Sequence, residues 1–398
     1  MTPCLVCREA HVEVLLDLGP QPITNRFPLD EKEAEHLHPM RFGACRACGA
    51  AQLLAPPPAA DLKPRVDWIT YNEPEPHLDG LADRLAKLPE IGDSTMAVGV
   101  SGKDDSLLRR LRERGVPQTR ILDAEDLGDS DRRAFVETIQ ALLTPRRAAE
   151  VAARRGAADL VIARHIFEHA GDPASFTRAL FALAKPGGLI VLEAPDCTRS
   201  MAARDYTMLW EEHSLYLNPA VFRRAVELAG GEIVLEENHP YALENSIVLV
   251  ARAGAPKPSA AADSARAFAD AKAYADAFAR SKTELRAWLD QASKLGKIAM
   301  FGAGHLGAVW LNAMGVADKI AFVIDDNPNK RGRRMPGSRL PILGSDALLG
   351  GGVAWALMAF SPDAEDKVMG KNAAFRDKGG RFASIFPGSP NSFTLARR

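Results

Sequence analysis

Two short motifs, Cys4-x-x-Cys7 and Cys45-x-x-Cys48, limit what the first part of this 398-residue chain can become. Around them lie only short apolar pieces broken by Gly and Pro: Val12 to Leu18, Phe42 to Gly49, and Gln52-Leu53-Leu54. So few apolar residues cannot close a core of their own, and a segment of this size needs a staple. Each C-x-x-C turn presents two thiolates on one knuckle, and four thiolates fill the tetrahedral shell of Zn²⁺. The 37 residues between the pairs exceed the common zinc-ribbon spacing, but Cys4, Cys7, Cys45 and Cys48 leave no ligand position for water. The metal therefore reads as structural. Cys197 stands alone and reads as a small buried residue.

The formal charge of −1 and pI near 6.8 give no electrostatic case for nucleic acid or for an anionic membrane. No apolar run approaches the roughly 20 residues that span a bilayer. Met1 to Cys7 lacks a basic region followed by an apolar core, so no signal peptide is expected and the expected location is cytoplasmic. A reducing compartment favours zinc over disulfides at the cysteine pairs. Monomer and homo-oligomer both stay open.

Pro56-Pro57-Pro58 marks the edge of the first unit, a zinc-binding module placed over 1–75. The stretch from Trp68 to His77, rich in aromatic and acidic groups, reads either as a staple and turn or as a lid reaching a ligand. A second unit, 76–255, alternates strand and helix. Thr95 to Val100 reads as a strand, Ser101 to Ser106 as a polar loop, Leu107 to Gly115 as a helix, and Thr119 to Leu122 as a strand ending at Asp123. An acid 21 residues beyond Gly102, after the second strand, is placed to accept hydrogen bonds from a ribose. Arg132 to Arg155 has a helical pattern.

The stretch from Asp159 to His213 then delivers ionisable and aromatic groups where strands end. Asp159-Leu-Val-Ile-Ala runs into Arg164-His165-Ile166-Phe167-Glu168-His169. An amphipathic run to Leu183, the turn Lys185-Pro186-Gly187-Gly188 and the strand Leu189 to Leu192 follow, and Trp210-Glu211-Glu212-His213 closes the stretch. Strand ends are where an open α/β sheet places its chemistry. Glu232 to Glu236 and Ser246 to Arg252 read as a late antiparallel pair.

After the linker Gly254 to Ser259, the third unit, 256–398, opens with a long Ala-rich helix from Ala262 to Leu295. The strand Lys297 to Phe301 enters Gly302-Ala-Gly304-His305-Leu-Gly307 and a helix, and Ile320 to Ile324 ends at Asp325. This is half of a dinucleotide-type fold. Its glycines serve a phosphate or nucleotide, or only the close packing of helix on sheet. The expected fold class is α/β: a small zinc-binding module, a central Rossmann-like domain of class I methyltransferase type, and a C-terminal Rossmann-like domain.

The order of these parts resembles the sugar C-methyltransferase family across nearly the whole chain. The specific matches are Leu16-Asp-Leu-Gly with Asn25-Arg-Phe, Asp159 to His165 with Glu168-His169, and Val323-Ile-Asp-Asp-Asn-Pro-Asn-Lys-Arg-Gly. The resemblance implies a SAM-dependent enzyme that methylates a carbon of a nucleotide-linked keto-deoxysugar. It implies that His213 is the base that forms an enolate, with Glu212 orienting it. His169 would lie near the sugar, and Tyr71 would be an aromatic closing over the site. Trp210 replaces the family's tyrosine. Gly99, Gly102, Asp104, Asp123 and His165 would face the cofactor; Trp210, Gly302, Gly304, His305 and Asp325 would face the nucleotide sugar.

The chain departs from the family at the cofactor loop. Gly99 stands where an acid is usual, Ser101 where the first glycine is usual, and Asp105 where the second is. A carboxylate at 105 would oppose that of SAM. An alternative is an epimerase, isomerase or binding protein for nucleotide sugars on the same scaffold, without SAM.

Overall fold

Among the described residues three sheets organise the chain, one in each of the three parts. The computed structural model describes residues 2–66, 68–69, 73–129, 136–256 and 262–394. In the first sheet, β1 (Val12–Pro22), β2 (Leu37–Cys45) and β3 (Ala51–Leu53) run antiparallel. Its fourth strand, Leu215–Tyr216, comes from the central part of the chain, with Gln52 opposite Leu215 and Ala51 opposite Tyr216. Phe42 fixes this junction, its ring 5.3 Å from Tyr216 and 5.8 Å from Tyr274. The zinc module is thus built into the protein by shared backbone pairing and a shared aromatic core.

The central sheet holds β4 (Met96–Gly99), β5 (Gln118–Ile121), β6 (Ala158–Arg164) and β7 (Ala184–Asp196). After β8, the Leu215–Tyr216 strand, come β9 (Gly231–His239) and β10 (Asn245–Ala253). Their order is β5-β4-β6-β7-β10-β9. The first four are parallel, and β10 is antiparallel to both neighbours, as the late pair predicts. Leu160 to Ala163 are fully buried, as a parallel strand covered on both faces requires.

Two central readings change. The helical pattern from Arg132 to Arg155 is broken into Val136–Leu142 and Pro145–Arg155, and residues 130–135 lie outside the described residues. Thr144 caps the second helix by accepting the Arg147 N–H, and Pro145 takes the first position, where a missing N–H does no harm. Lys185 to Gly188 belongs to the beginning of β7, exposed as far as Gly187, rather than to a separate turn.

In the C-terminal part, the long helix is two helices, Ala262–Asp276 and Phe278–Ala292. The third sheet contains β11 (Lys297–Phe301), β12 (Phe322–Ile324), β13 (Ile342–Leu343), β14 (Val353–Met358) and β15 (Arg381–Ser384). All are parallel, in the order β13-β12-β11-β14-β15. Among the described residues, no helix is long and apolar enough to cross a membrane.

The carboxyl ends of β6 and β7 in one sheet, and of β11, β12 and β14 in the other, reach one cavity of about 810 Å³. Open α/β sheets bind ligands at such ends. Here two sheets supply the opposing walls.

Candidate active site

Trp210 to His213 lies between a short helix and β8, and the zinc module grips it. The Thr24 N–H and hydroxyl donate to Glu211 Oε1 at 2.6 and 2.9 Å, and Trp210 Nε1 donates to Thr24 Oγ1 at 2.9 Å. Asn25 Nδ2 donates to Glu212 Oε1 at 2.9 Å. Just beyond, the Leu53 N–H donates to the Ser214 carbonyl at 3.0 Å. Burial raises the Glu211 carboxyl to about 7, partly opposed by the Thr24 donors.

His169 meets this segment from the other side. Because a carbonyl only accepts, the His169 Nδ1 donates to the Glu212 carbonyl at 2.8 Å, which in the neutral ring leaves the lone pair on Nε2. The His213 ring stands nearly perpendicular to it, with centroids 5.0 Å apart. One ligand-capable atom from each of Glu168, His169 and His213 lies within 4.8 Å of the others. Loss of hydration pushes His213 well below the usual histidine range, and the neighbouring His169, His305 and His165 push it further. His213 is neutral near pH 7.

His165, at the end of β6, is bound differently. Its φ of +51° is left-handed, rare for a non-glycine residue and a mark of functional sites. Nε2 donates to Glu193 Oε1 at 3.0 Å, while Nδ1 lies 3.6 Å from both Glu73 and Glu168. Burial alone would lower its pKa, but the Glu73 and Glu193 carboxylates outweigh burial and hold His165 well above its ordinary value. His165 and His213 line one cavity in opposite charge states.

Glu193, at the end of β7, is the centre of this arrangement, and sequence reading assigned it no role. Fully buried, it pairs with the Arg164 guanidinium, accepts from Ser246 Oγ at 2.6 Å and lies 3.3 Å from His77 Nε2. Its position at a buried strand end was the available signal. Thr24, Asn25 and His77 were also missed as site residues. Tyr71 lies outside the described residues.

At the cofactor loop the departures explain one another. Asp104 is fully buried; Oδ2 accepts the Ser101 N–H at 2.9 Å, and Oδ1 accepts the Arg164 N–H at 3.0 Å. A Cβ at Gly99 would lie 2.7 Å from the Cβ of Asp104, so Asp104 ties the loop down and position 99 must stay small. Burial raises Asp104 to about 7, opposed by those donors. Asp105 points outward, its side chain 58% exposed and 3.9 Å from Arg112, so the expected clash with a bound carboxylate is not built in.

The loop residues fit SAM. Gly102 has open space at its Cα, Lys103 offers a cation for the methionyl carboxylate, and exposed Asp123 stands at the end of β5 for a ribose. Lys103 pairs with Glu73, and Asp123 caps the helix beginning at Ala124 while accepting from Arg155 at 2.8 Å. Of the five expected cofactor residues, His165 alone also lines the cavity.

The opposite wall is the glycine loop of the third sheet. Gly302 has φ of +116°, and a Cβ there would lie 2.9 Å from the Ala359 carbonyl. Gly304 begins the helix His305–Met314 without a side-chain cap, and the space beside its Cα is open. A helix start of this kind attracts phosphate oxygens. Asp325 holds the loop, accepting the Ala303 N–H at 3.1 Å and Lys330 Nζ at 3.2 Å. His305 stacks on Trp210, and burial lowers it to about 4.

At the N-terminus the four thiols converge: Sγ of Cys4 lies 3.5 Å from that of Cys48, and Sγ of Cys7 lies 3.6 Å from that of Cys45. Four sulfurs about 2.3 Å from one zinc ion have nearly this spacing. The cluster fits the metal.

Three family models match the chain in tandem: a zinc binding domain over 4–62, a methyltransferase domain over 86–236, and a C-methyltransferase C-terminal domain over 229–387. The chain is a C-methyltransferase. The C-methyltransferase NovU of Streptomyces niveus is 24% identical over 96% of this chain and 95% of its own length. Among solved structures, a SAM-dependent methyltransferase from Mesorhizobium loti is 15% identical, covering 44% of this chain and 99% of that one, with a TM-score of 0.31. An O-methyltransferase family protein from Burkholderia thailandensis is 16% identical, covering 45% and 56%, with a TM-score of 0.30. The methyltransferase domain implies SAM as cofactor, and the zinc binding domain coincides with the four-thiol cluster.

Proposed function

We propose that this C-methyltransferase acts on the carbon beside the ketone of a nucleotide-linked deoxysugar, with His213 as the base. One observation carries the reading: a neutral His213, with the His169 ring beside it, faces an uncapped glycine loop across a single cavity. The Gly302–His305 loop and Lys330 suit a diphosphate, and the cavity between them and His213 is large enough for the sugar.

His213 takes the proton from the carbon next to the carbonyl, and the released electron pair moves onto the ketone oxygen as an enolate. The imidazolium of His165 places positive charge in the same cavity, which favours that oxyanion. His169, its tautomer set by the Glu212 carbonyl, offers Nε2 to a sugar hydroxyl. SAM, when bound, supplies an electrophilic methyl group. Lys103 and Asp123 would hold it beside the end of β4, on a loop that Asp104 keeps in place.

The test uses a nucleoside-diphosphate 4-keto-6-deoxysugar in deuterated water. Without SAM, deuterium enters the carbon beside the ketone; with SAM, a methylated product forms. No exchange and no methylation across nucleotide variants would sink the reading. Exchange without methylation in the presence of SAM would leave only proton shuffling.

A further inference from the structure

Between β1 and β2 the zinc module sends Thr24 and Asn25 into the wall of the cavity. Asn25 is 4% exposed. Its Nδ2 donates to the Leu62 carbonyl at 2.7 Å and to Glu212 Oε1 at 2.9 Å. The Leu62 carbonyl can only accept, which sets the orientation of the amide; the Glu212 carboxyl also hydrogen-bonds with that of Glu137, which burial holds above the ordinary carboxyl range.

The consequence reaches the histidines through one residue. Glu212 receives Asn25 on its side chain and His169 Nδ1 on its backbone carbonyl. Thr24 holds Glu211 and Trp210 on one side of that point, and the pairing of β3 with β8 holds the other. The segment 210–216 therefore has the zinc module as its frame, and Asn25 is the strut that meets the residue bonded to His169. A neutral donor suits this place, since it satisfies a buried carboxylate without adding a charge that would shift the neighbouring imidazoles.

We propose that Asn25 is a positioning residue for the His169–His213 pair, which makes the zinc module a working part of the active site. Its kinetic consequence rests on the proposed role of His213; its structural consequence does not. Loss of the amide lets the Glu212 backbone shift, and His169 then loses the acceptor that selects its Nδ1–H form.

The test compares full-length, zinc-loaded wild type with Asn25→Ala and Asn25→Asp. Selective ¹⁵N labelling of histidine reads the tautomer of His169 without any substrate. Wild type should show the Nδ1–H form; Asn25→Ala should show a mixture, with one zinc per chain retained. Asn25→Asp adds a third acid to the buried Glu137–Glu212 pair and repels it at high pH, but at lower pH a proton held between the introduced carboxyl and Glu212 restores the bond to Glu212. The wild-type tautomer should return with it, a rescue that a purely structural role does not predict. In the exchange assay, kcat should fall on the order of 10- to 100-fold in Asn25→Ala, with KM changed less than about threefold.

An unchanged His169 tautomer in both variants overturns the proposal, as does a change in KM alone. If Asn25→Ala loses its zinc, the pH rescue of Asn25→Asp decides, and its absence counts against the proposal. A wild type that exchanges no substrate proton removes the role given to His213 and leaves the tautomer result standing.

Discussion

The indole of Trp210 and the imidazole of His305 lie face to face, with centroids 4.0 Å apart and planes inclined by 16°. Trp210 belongs to the segment that carries His213, and His305 begins the helix of the glycine loop. The stack joins the cavity wall that carries His213 to the wall that carries the glycine loop. Offset aromatic pairs contribute about 0.5 to 1.5 kcal/mol beyond their buried area. A double-mutant cycle with Trp210→Leu and His305→Leu, read by urea unfolding, should give a coupling of about 1 kcal/mol. A coupling near zero would mean that the two walls are held apart from this contact.

In the proposed mechanism the pH dependence of catalysis follows from His213. Its proton affinity lies well below that of an ordinary histidine, so the base stays neutral as the pH falls through about 6.5. The acid limb of kcat/KM should therefore begin only at lower pH. His213→Gln should abolish both methyl transfer and substrate deuterium exchange. A wild-type limb centred at or above pH 6.5 would contradict the neutral-base assignment.

Metal analysis should find one zinc ion per chain, bound by Cys4, Cys7, Cys45 and Cys48. The effect of removing it should extend beyond the module. With the knuckles gone, β2 and β3 lose their anchor and β8 loses its partner, so turnover should fall together with zinc content during chelation. Cys48→Ser, measured the same way, should bind zinc more weakly and lose activity in proportion. Full activity in zinc-free protein would contradict this coupling.

Breaking the buried pair at the end of β7 should be costly. Arg164 and Glu193 are 1% and 0% exposed, and removing one partner of such a pair typically costs about 3 to 5 kcal/mol. Burial would raise Glu193, but His165 and the other donors outweigh it and hold its carboxyl well below the ordinary value. A depressed carboxyl stabilises the fold above its unfolded value of about 4.3, and that stabilisation is lost as the pH falls. Glu193→Gln should thus be less stable at pH 7 and lose less stability than wild type on acidification. Urea titrations from pH 7 to pH 3 would show parallel curves if Glu193 contributed nothing.

Much of the architecture was legible because its signals are local. Two C-x-x-C turns, apolar runs of strand length and a glycine loop between strand and helix each declare themselves within a few residues. Ionisable residues at strand ends, His165 and Asp325 among them, followed from the same periodicity. Local pattern misled where a break had a local cause of its own: Thr144-Pro145 starts a new helix inside a continuous helical pattern.

By itself, then, the sequence determined the three-part α/β plan and the four-thiol cluster, and it placed His165 at a strand end, since spacing and strand position are written in neighbouring residues. Only the tertiary structure decided how the histidines of the site are held and in which charge states. Asn25 and Glu212 are 187 positions apart, and Gly99 is required by the side chain of Asp104 lying over it. The field that protonates His165 and leaves His213 neutral comes from groups on separate elements and from burial, which exist only once the chain has closed around them.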